Sequence, residues 1–286
     1  MITIINFVTY SLGDNTAFSP YADLYQQKVG GKVYVKTKWH KYFKSSNLNV
    51  EFVNTDFTCD GAEIKNINFL FQRGPLQKII CDTLGLEYKE IRPTLTYEDK
   101  NIFNKKKKYV CIAVQSTSQM KYWNKNNGWD KVVRFLKTNG YDVYCIDKDE
   151  VFGTKEHWNY MPKSAYNETG NYDIGYRMEQ LKKCEFFIGT SSGLAWVAWA
   201  LGKKVVLISG CTDEDNEFSD AYRVINKNVC HGCLNDPTID NVNGILGGWL
   251  YCPRNKNFEC SKEISYEQVQ SAILKCMGDI NQTKLK

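Results

Sequence analysis

Three segments of the chain carry carboxylate, ammonium or hydroxyl groups directly after apolar runs that are typical of buried strands. The first contains Asp14, the second contains Ser116, Thr117 and Lys121, and the third is the small-residue segment 189–194. Ligands of open α/β sheets bind at the carboxyl ends of the strands, so these residues are candidates for one shared site. A carboxylate, a cation and a hydroxyl-rich loop together could bind a phosphate and move a proton.

The third segment offers Thr190, Ser191, Ser192 and Gly193 at the predicted start of a helix. Small residues let the backbone approach a phosphate closely, and helix N-terminal N–H groups favour its negative charge. The alternative is an ordinary helix whose N-cap is Ser191 or Ser192. The segment is neither G-x-G-x-x-G nor a P-loop, which argues against a dinucleotide dehydrogenase and a P-loop kinase.

The other two segments suggest complementary roles. Ser116 and Thr117 can donate hydrogen bonds to phosphate oxygens, and Lys121 is a compact cation that suits a diphosphate. Asp14 would face a cleft between two domains, where it could act as a general base on a hydroxyl. The alternatives are a solvent-exposed lysine and an aspartate that only supports its own turn.

Four of the eleven cysteines cluster near the C-terminus: Cys230, Cys233, Cys252 and Cys260, separated by two, eighteen and seven residues. A C-x-x-C pair followed by two further cysteines fits a tetrahedral thiolate site for zinc or iron. The alternative is four unligated thiols. His231, inside the C-x-x-C pair, is interpreted as a bystander. An odd cysteine total argues against a simple disulfide framework.

These residues need a scaffold, and the hydrophobic pattern predicts two α/β halves. In residues 1–92 we expect a turn at 11–15, strands at 3–9, 32–35, 50–53 and 64–71, and helices at 20–28 and 75–84. Residues 93–108, with Pro93 and a lysine run, are predicted to be a linker. In residues 109–286 we expect strands at 109–115, 142–147, 185–189 and 204–209, and helices around 129–136 and at 176–183, 193–201 and 265–276. Strands alternating with helices predict a doubly wound parallel sheet.

Composition excludes several classes of protein. The 286 residues include 43% hydrophobic and 24% charged residues, with a net charge of +5, which is ordinary for a globular protein. No apolar run approaches the roughly 18–20 residues needed to span a bilayer. The first residues lack a basic region and a cleavage site, so we expect a cytoplasmic protein. The basic residues are dispersed, so no nucleic-acid partner is expected.

The three segments, in this order and spacing, resemble the ADP-heptose glycosyltransferases of the GT-B fold. The likeness is strongest to the autotransporter strand-loop-strand O-heptosyltransferases, which glycosylate serines on bacterial adhesins. The lipopolysaccharide heptosyltransferases are more distant. The resemblance rests on residues 11–21, 119–123, 128–129, 140–149, 186–200, 206–210, 216–218, 222–226, 230–236, 252–254 and 258–260. It implies two Rossmann-like doubly wound domains, of which the N-terminal, acceptor-side one is reduced.

The resemblance also implies roles for particular residues. Asp14 matches the catalytic base, Lys121 matches the lysine that holds the donor diphosphate, and residues 190–193 match the donor-binding loop. Arg177 and Glu217 are weaker candidates, and Glu217 could either bind the donor sugar hydroxyls or cap the turn that follows it. The family carries a structural four-cysteine iron site, so one Fe(III) or Zn ion is expected.

The implied reaction transfers a heptose, with inversion, from an ADP-sugar to a Ser or Thr hydroxyl of a protein. A saccharide acceptor and another nucleotide sugar remain open, and so does a homo-oligomer. The acidic segment 213–215 has the form of a D-x-D metal motif, but such segments are common in polar loops, and no catalytic metal is expected. The alternative from another class is a non-catalytic sugar-nucleotide or nucleic-acid binder with a zinc ribbon.

Overall fold

The first half of the chain forms a four-stranded parallel sheet. The computed structural model describes residues 1–9, 11–68, 73–154, 157–239 and 251–284. Within them this half contains β1 Ile2–Phe7, α1 Leu12–Phe18, α2 Tyr21–Val29, β2 Lys32–Lys36, a 3₁₀ helix His40–Tyr42, β3 Val50–Val53, β4 Glu63–Ile67 and α3 Lys78–Leu84. The strand order is β3-β2-β1-β4. The strands that we expected at 3–9, 32–35 and 50–53 are thus confirmed with small shifts of their ends.

The predicted turn at 11–15 is wrong, because residues 12–18 form helix α1. Ser11 is the N-cap, and its side chain accepts a hydrogen bond from the Asp14 backbone N–H at 3.4 Å. A serine followed three residues later by an acidic residue is a helix-start pattern. Asp14 therefore lies in the first turn of a helix, which fixes the direction of its carboxylate.

The second half forms a six-stranded parallel sheet of order β12-β11-β10-β5-β6-β9. Its elements are β5 Tyr109–Ala113, α4 Gly128–Thr138, β6 Asp142–Cys145, β7 Val151–Thr154, β8 His157–Tyr160, β9 Tyr166–Asn167, α5 Ile174–Lys183, β10 Phe187–Thr190, α6 Gly193–Ala200, β11 Val205–Ile208, β12 Tyr222–Val224, α7 Glu259–Lys262 and α8 Tyr266–Lys284. Short 3₁₀ helices occur at Gln119–Lys121, Lys125–Asn127 and Cys233–Asn235. The predicted doubly wound parallel sheet is confirmed.

Several elements differ from the sequence-based expectations. The antiparallel hairpin β7–β8 and the short edge strands β9 and β12 were not predicted. The last helix continues to Lys284 instead of ending at Cys276. The predicted strand 64–71 is β4 up to Ile67, and its residues 69–71 lie outside the described residues.

Strand β5 is buried on both faces, which explains its continuous apolar sequence. Tyr109, Cys111 and Ala113 pack into one hydrophobic cluster, and the alternating Val110, Ile112 and Val114 pack into a second one with α4 and α8. The first cluster also contains residues of β1, β2 and α2, so the two sheets share one continuous core. No helix among the described residues is long and apolar enough to cross a membrane.

The predicted linker takes part in this core. Phe103 is buried between Tyr109 and Tyr144 in edge-to-face ring contacts. Just before the linker, Arg92 forms a half-exposed ion pair with Asp220 at 2.8 Å. The division into 1–92, 93–108 and 109–286 stays a prediction.

Candidate functional site

The site lies at the point where the strand order of the larger sheet reverses. The six strands can be numbered by their order along the chain. Read across the sheet from β9 to β12, they then come third, second, first, fourth, fifth and sixth, so the chain winds away in opposite directions from β5 and β10. Such a switch point leaves a crevice at the carboxyl ends of the two central strands. The loops after β5 and β10 are the segments predicted to bind a donor.

A cavity of about 620 Å³ occupies this crevice, a size typical of small-molecule sites. Residues of the first half, including Asp14, also line it. All but one of the predicted catalytic and donor-binding residues line it: Asp14, Ser116, Thr117, Lys121, Ser191, Ser192, Gly193 and Glu217. The exception is Thr190, which is fully buried and donates its hydroxyl to the Gln115 carbonyl at 3.1 Å.

Asp14 is half-buried, and its Oδ2 accepts a hydrogen bond from the Thr9 hydroxyl at 3.1 Å. Burial raises the pKa of Asp14, while the Thr9 and Ser11 hydrogen bonds and the nearby Lys121 charge oppose the rise. A carboxylate with a raised pKa holds a proton more strongly than an ordinary aspartate. The site therefore favours Asp14 as a proton acceptor.

Lys121 lines the same cavity as Asp14 and lies on the short helix that follows β5. Its charge acts on both Asp14 and Glu217, so the ammonium lies within electrostatic reach of both carboxylates. Within the described ranges Lys121 forms no ion pair. An unpaired ammonium in a cavity is suited to an anion.

The start of α6 supplies the second anion-binding feature. Ser192 is the N-cap, but its side chain makes no capping hydrogen bond. The Ser191 hydroxyl is not a cap either, because it donates to the Glu217 carboxylate. Ser192 thus occupies the N-cap position named in the alternative interpretation, but the first N–H groups of α6 receive no side-chain cap. Residues 192–194 at this helix start line the same cavity as Lys121, an arrangement that favours a bound diphosphate.

Glu217 is fully buried beside the cavity, and its Oε2 lies 2.5 Å from the Arg223 guanidinium. Burial alone would favour the neutral acid. Arg223, with help from Ser191, Lys121 and Asn216, outweighs that effect and holds the pKa of Glu217 below its ordinary value. Glu217 is therefore a charged hydrogen-bond acceptor at the cavity wall.

Sequence reasoning missed Asp147, which follows β6 and lines the cavity. Its carboxylate accepts the Val114 and Gln115 backbone N–H groups at 2.7 and 3.2 Å, so it anchors the end of β5. Burial raises the pKa of Asp147 to about 6. An acidic residue just after the second strand of a doubly wound sheet was a signal that could have identified it.

Backbone contact between two glycines closes the cavity where the halves meet. A Cβ on Gly193 would lie 3.0 Å from the Leu12 Cβ and 3.1 Å from the Gly13 nitrogen. A Cβ on Gly13 would lie 3.3 Å from the Gly193 Cα. Helices α1 and α6 therefore pack directly against each other, and this contact sets the distance from Asp14 to the donor loop.

Arg177 and the acidic segment 213–215 lie outside the cavity lining. Arg177 is buried, and its guanidinium donates to the carbonyls of Asp147, Glu168 and Gly170, so it ties loops together. Asp213 and Asp215 do not line the cavity either, although their neighbours Thr212 and Asn216 do.

The four clustered cysteines line a second, much smaller cavity of about 10 Å³. The Lys256 N–H lies 3.2 Å from the Cys252 sulfur, and the Arg254 guanidinium lies 3.5 Å from the Cys230 sulfur. Burial and the neighbouring cysteines raise the pKa of Cys233 to about 12. Across the described part of the chain, no group of three or more Cys, His, Asp or Glu is arranged to hold a metal ion. Four sulfur donors around one small cavity nevertheless suit a zinc or iron ion in chemical type.

Comparison with known proteins identifies the family. The profile of glycosyltransferase family 9 (heptosyltransferase) matches residues 78–240. Aah, an autotransporter heptosyltransferase of Escherichia coli, is 34% identical over 289 residues, which are 94% of this chain and 73% of Aah. The chain belongs to glycosyltransferase family 9. The resemblance to the autotransporter heptosyltransferases drawn from the motifs is confirmed.

Two further relatives match over a shorter region. BAHTCr, an autotransporter heptosyltransferase of Citrobacter rodentium, is 45% identical over 169 residues, which are 58% of this chain and 41% of BAHTCr. BimC of Burkholderia thailandensis, described as an inactive autotransporter heptosyltransferase, is 34% identical over 174 residues, 59% of this chain and 40% of BimC. The match thus spans less than half the length of these two relatives.

Solved structures agree with this family 9 assignment. The crystal structure of TibC, an iron-containing dodecameric glycosyltransferase of enterotoxigenic E. coli, has a TM-score of 0.87 and 31% identity, covering 97% of this chain and 76% of TibC. TibC in complex with ADP-D-beta-D-heptose has a TM-score of 0.86 and 30% identity, covering 97% of this chain and 77% of that one. The α/β glycosyltransferase fold expected from the sequence is confirmed.

Proposed function

We propose that this protein is an inverting glycosyltransferase that moves a heptose from ADP-heptose to a hydroxyl group. The observation that carries the proposal is the single cavity in which Asp14, Lys121 and the uncapped start of α6 meet. Family membership and the ADP-heptose complex of TibC support the choice of donor. The acceptor proposed first is a Ser or Thr hydroxyl of a protein, and a saccharide hydroxyl is the alternative.

In this mechanism Asp14 takes the proton from the acceptor hydroxyl as its oxygen attacks the anomeric carbon of the heptose. The bond from that carbon to the ADP oxygen breaks, and ADP leaves with both electrons of the bond. Lys121 and the N–H groups of α6 stabilise the charge that develops on the diphosphate, the type of interaction that usually contributes most to catalysis. Attack from the face opposite ADP inverts the anomeric centre.

Glu217 and the hydroxyl groups of Ser116, Thr117 and Ser191 complete the proposed donor site. The ionised Glu217 can accept hydrogen bonds from hydroxyl groups of the donor, and the serine and threonine hydroxyls can donate to phosphate oxygens.

We assign no catalytic metal to this site. The four cysteines are proposed to hold one structural Fe(III) or Zn ion, in keeping with the description of TibC as iron-containing. TibC is also described as dodecameric, and we therefore propose that this protein forms a homo-oligomer.

The donor assignment is tested by titration calorimetry with ADP-heptose, GDP-mannose and UDP-glucose. We expect ADP-heptose to bind and the other two to bind far more weakly. Lys121→Ala should weaken ADP binding about 10- to 100-fold, since a charge-assisted hydrogen bond contributes roughly 1.5–3 kcal/mol. Lys131→Ala, on the exposed surface of α4, is the matched control.

Unchanged ADP affinity in the Lys121 variant would contradict the diphosphate assignment. A transfer assay with a serine-rich protein acceptor and with saccharides then separates the enzyme from a binder. ADP-heptose binding without transfer to any acceptor would favour a sugar-nucleotide binder that does not catalyse transfer. The relative BimC is described as an inactive heptosyltransferase.

A further inference from the structure

Two short 3₁₀ helices connect the cysteine cluster to the large cavity. In Gln119–Lys121, Met120 lines the cysteine cavity and the next residue, Lys121, lines the large one. In Cys233–Asn235, Cys233 lines the cysteine cavity and the next residue, Leu234, lines the large one. Each helix therefore faces both cavities with adjacent residues.

Met120 is the centre of this connection. It is buried in a small hydrophobic cluster with cysteines of the group, and its sulfur lies 3.9 Å from the Cys233 sulfur. The Ser261 hydroxyl, one residue after Cys260, donates to the Met120 carbonyl at 2.5 Å. The residue that precedes the donor lysine is thus held on both its side chain and its backbone by the cysteine segment.

Further contacts join the cysteine-bearing segments to the segments that carry Lys121 and Glu217. The Trp123 indole N–H donates to the Ile264 carbonyl at 2.9 Å, and Lys125 forms an ion pair with Glu263 at 2.7 Å. On the other side of the cluster, the Asn235 side chain donates to Asn216 at 2.9 Å, next to Glu217. A shift of the cysteines would therefore move both Lys121 and the Glu217 loop.

We propose that Met120 is a positioning residue through which the metal-loaded cysteine cluster sets the affinity of the cavity for the nucleotide donor. The inference rests on the proposed function, because it takes the large cavity as the donor site. Metal loading fixes the cysteine segment, which fixes Met120 and hence the ammonium of Lys121. Coupling between two sites is reciprocal, so a bound nucleotide must in turn stabilise the metal.

The test measures metal loss instead of sugar transfer. Purified protein, its metal content known from elemental analysis, is mixed with a chromogenic chelator with and without saturating ADP. We expect ADP to slow metal loss about 5-fold or more, the lower end of typical coupling between sites. In Met120→Ala, which retains Lys121 and the four cysteines, ADP should no longer slow metal loss, and ADP binding should weaken by a similar factor.

Met178→Ala is the matched control, because Met178 is an equally buried methionine of the main core, far along the chain from the cluster. It should lower the unfolding temperature but keep the effect of ADP. If Met120→Ala does not fold, the wild-type comparison decides alone. Metal loss that is the same with and without bound ADP, or a purified protein without metal, overturns the inference. Failure of ADP to bind at all refutes the proposed donor site itself.

Discussion

At the scale of single residues, Asp14 is set apart from the donor-binding groups by its position. It lies on α1 of the first half, whereas Lys121 and residues 191–193 belong to loops of the second half. Asp14→Asn is nearly isosteric, and its Thr9 contact can be kept. We expect the variant to bind ADP normally and to lose sugar transfer by about 10²-fold or more, because only the proton acceptor is removed.

The measurement pairs ADP calorimetry with initial rates of transfer. Asp23→Asn, on the neighbouring helix α2, is a suitable control because Asp23 contacts Ser45 outside the cavity. Wild-type transfer by Asp14→Asn would mean that Asp14 only supports the start of α1, and the proposed mechanism would have to be abandoned.

The Thr9 hydrogen bond gives a pH test of the same carboxylate. Burial raises the pKa of Asp14, and the Thr9 hydroxyl partly offsets this rise because it stabilises the charged form. Transfer needs the ionised carboxylate, so the rate should fall as pH drops through its pKa. Thr9→Val removes the stabilising hydroxyl, and the acid limb of the kcat profile should move to higher pH. An acid limb that does not move, measured against wild type in the same buffers, would argue against Asp14 as the base.

At the scale of elements, the contact between α1 and α6 determines where the proton acceptor stands. Gly193→Ala would place a Cβ 3.0 Å from the Leu12 Cβ and 3.1 Å from the Gly13 backbone nitrogen, so α1 has to shift by a few tenths of an ångström. We expect transfer to fall about 10-fold or more while ADP affinity changes little, because small misplacements of a reacting group are costly.

Gly278→Ala provides the comparison, since a Cβ at Gly278 meets nothing within 4 Å. It should leave both the ADP affinity and the transfer rate unchanged. Equal losses of ADP affinity and transfer in Gly193→Ala would show instead that the glycine serves only the donor loop.

Element order was largely predictable because both sheets are parallel and doubly wound. The apolar run 109–115 and the small-residue start of α6 predict the two central strands and their loops, and those loops bring Lys121 and Ser191 to one cavity. Helix α1 was not predicted, since its seven residues include Gly13 and Asp14, which are typical of turns. The hairpin β7–β8 exposes Val151, Phe152 and Trp158, so it lacks the half-buried alternation by which strands are recognised.

Other parts of the site have no signal in the local sequence. The approach of Gly13 to Gly193 joins residues that are far apart in the chain, and the Met120–Cys233 contact does so as well. Such pairs depend on how the two sheets pack. A single sequence can therefore suggest which residues carry chemistry, but not the contacts that position them.

At the scale of the whole molecule, the cysteine cluster should determine whether the second half stays folded. Bound metal can contribute on the order of 10 kcal/mol in a structural thiolate site. Cys233→Ser is expected to lose metal and to unfold at a clearly lower temperature, or to be insoluble. Cys81→Ser is the control, because Cys81 is buried on α3, outside the cluster. Normal thermal unfolding of the Cys233 variant, together with no metal in the wild type, would eliminate the site.

Strand β5 is buried on both faces and belongs to both hydrophobic clusters, one of which joins the two sheets. Its amide hydrogens can reach solvent only when most of the protein opens, which places them among the slowest to exchange with deuterium. The loop that carries Lys121 starts from the end of this strand, where Asp147 holds the Val114 N–H. The donor site is thus anchored to the last part of the protein to open, so heat should abolish nucleotide binding at global unfolding and not before it.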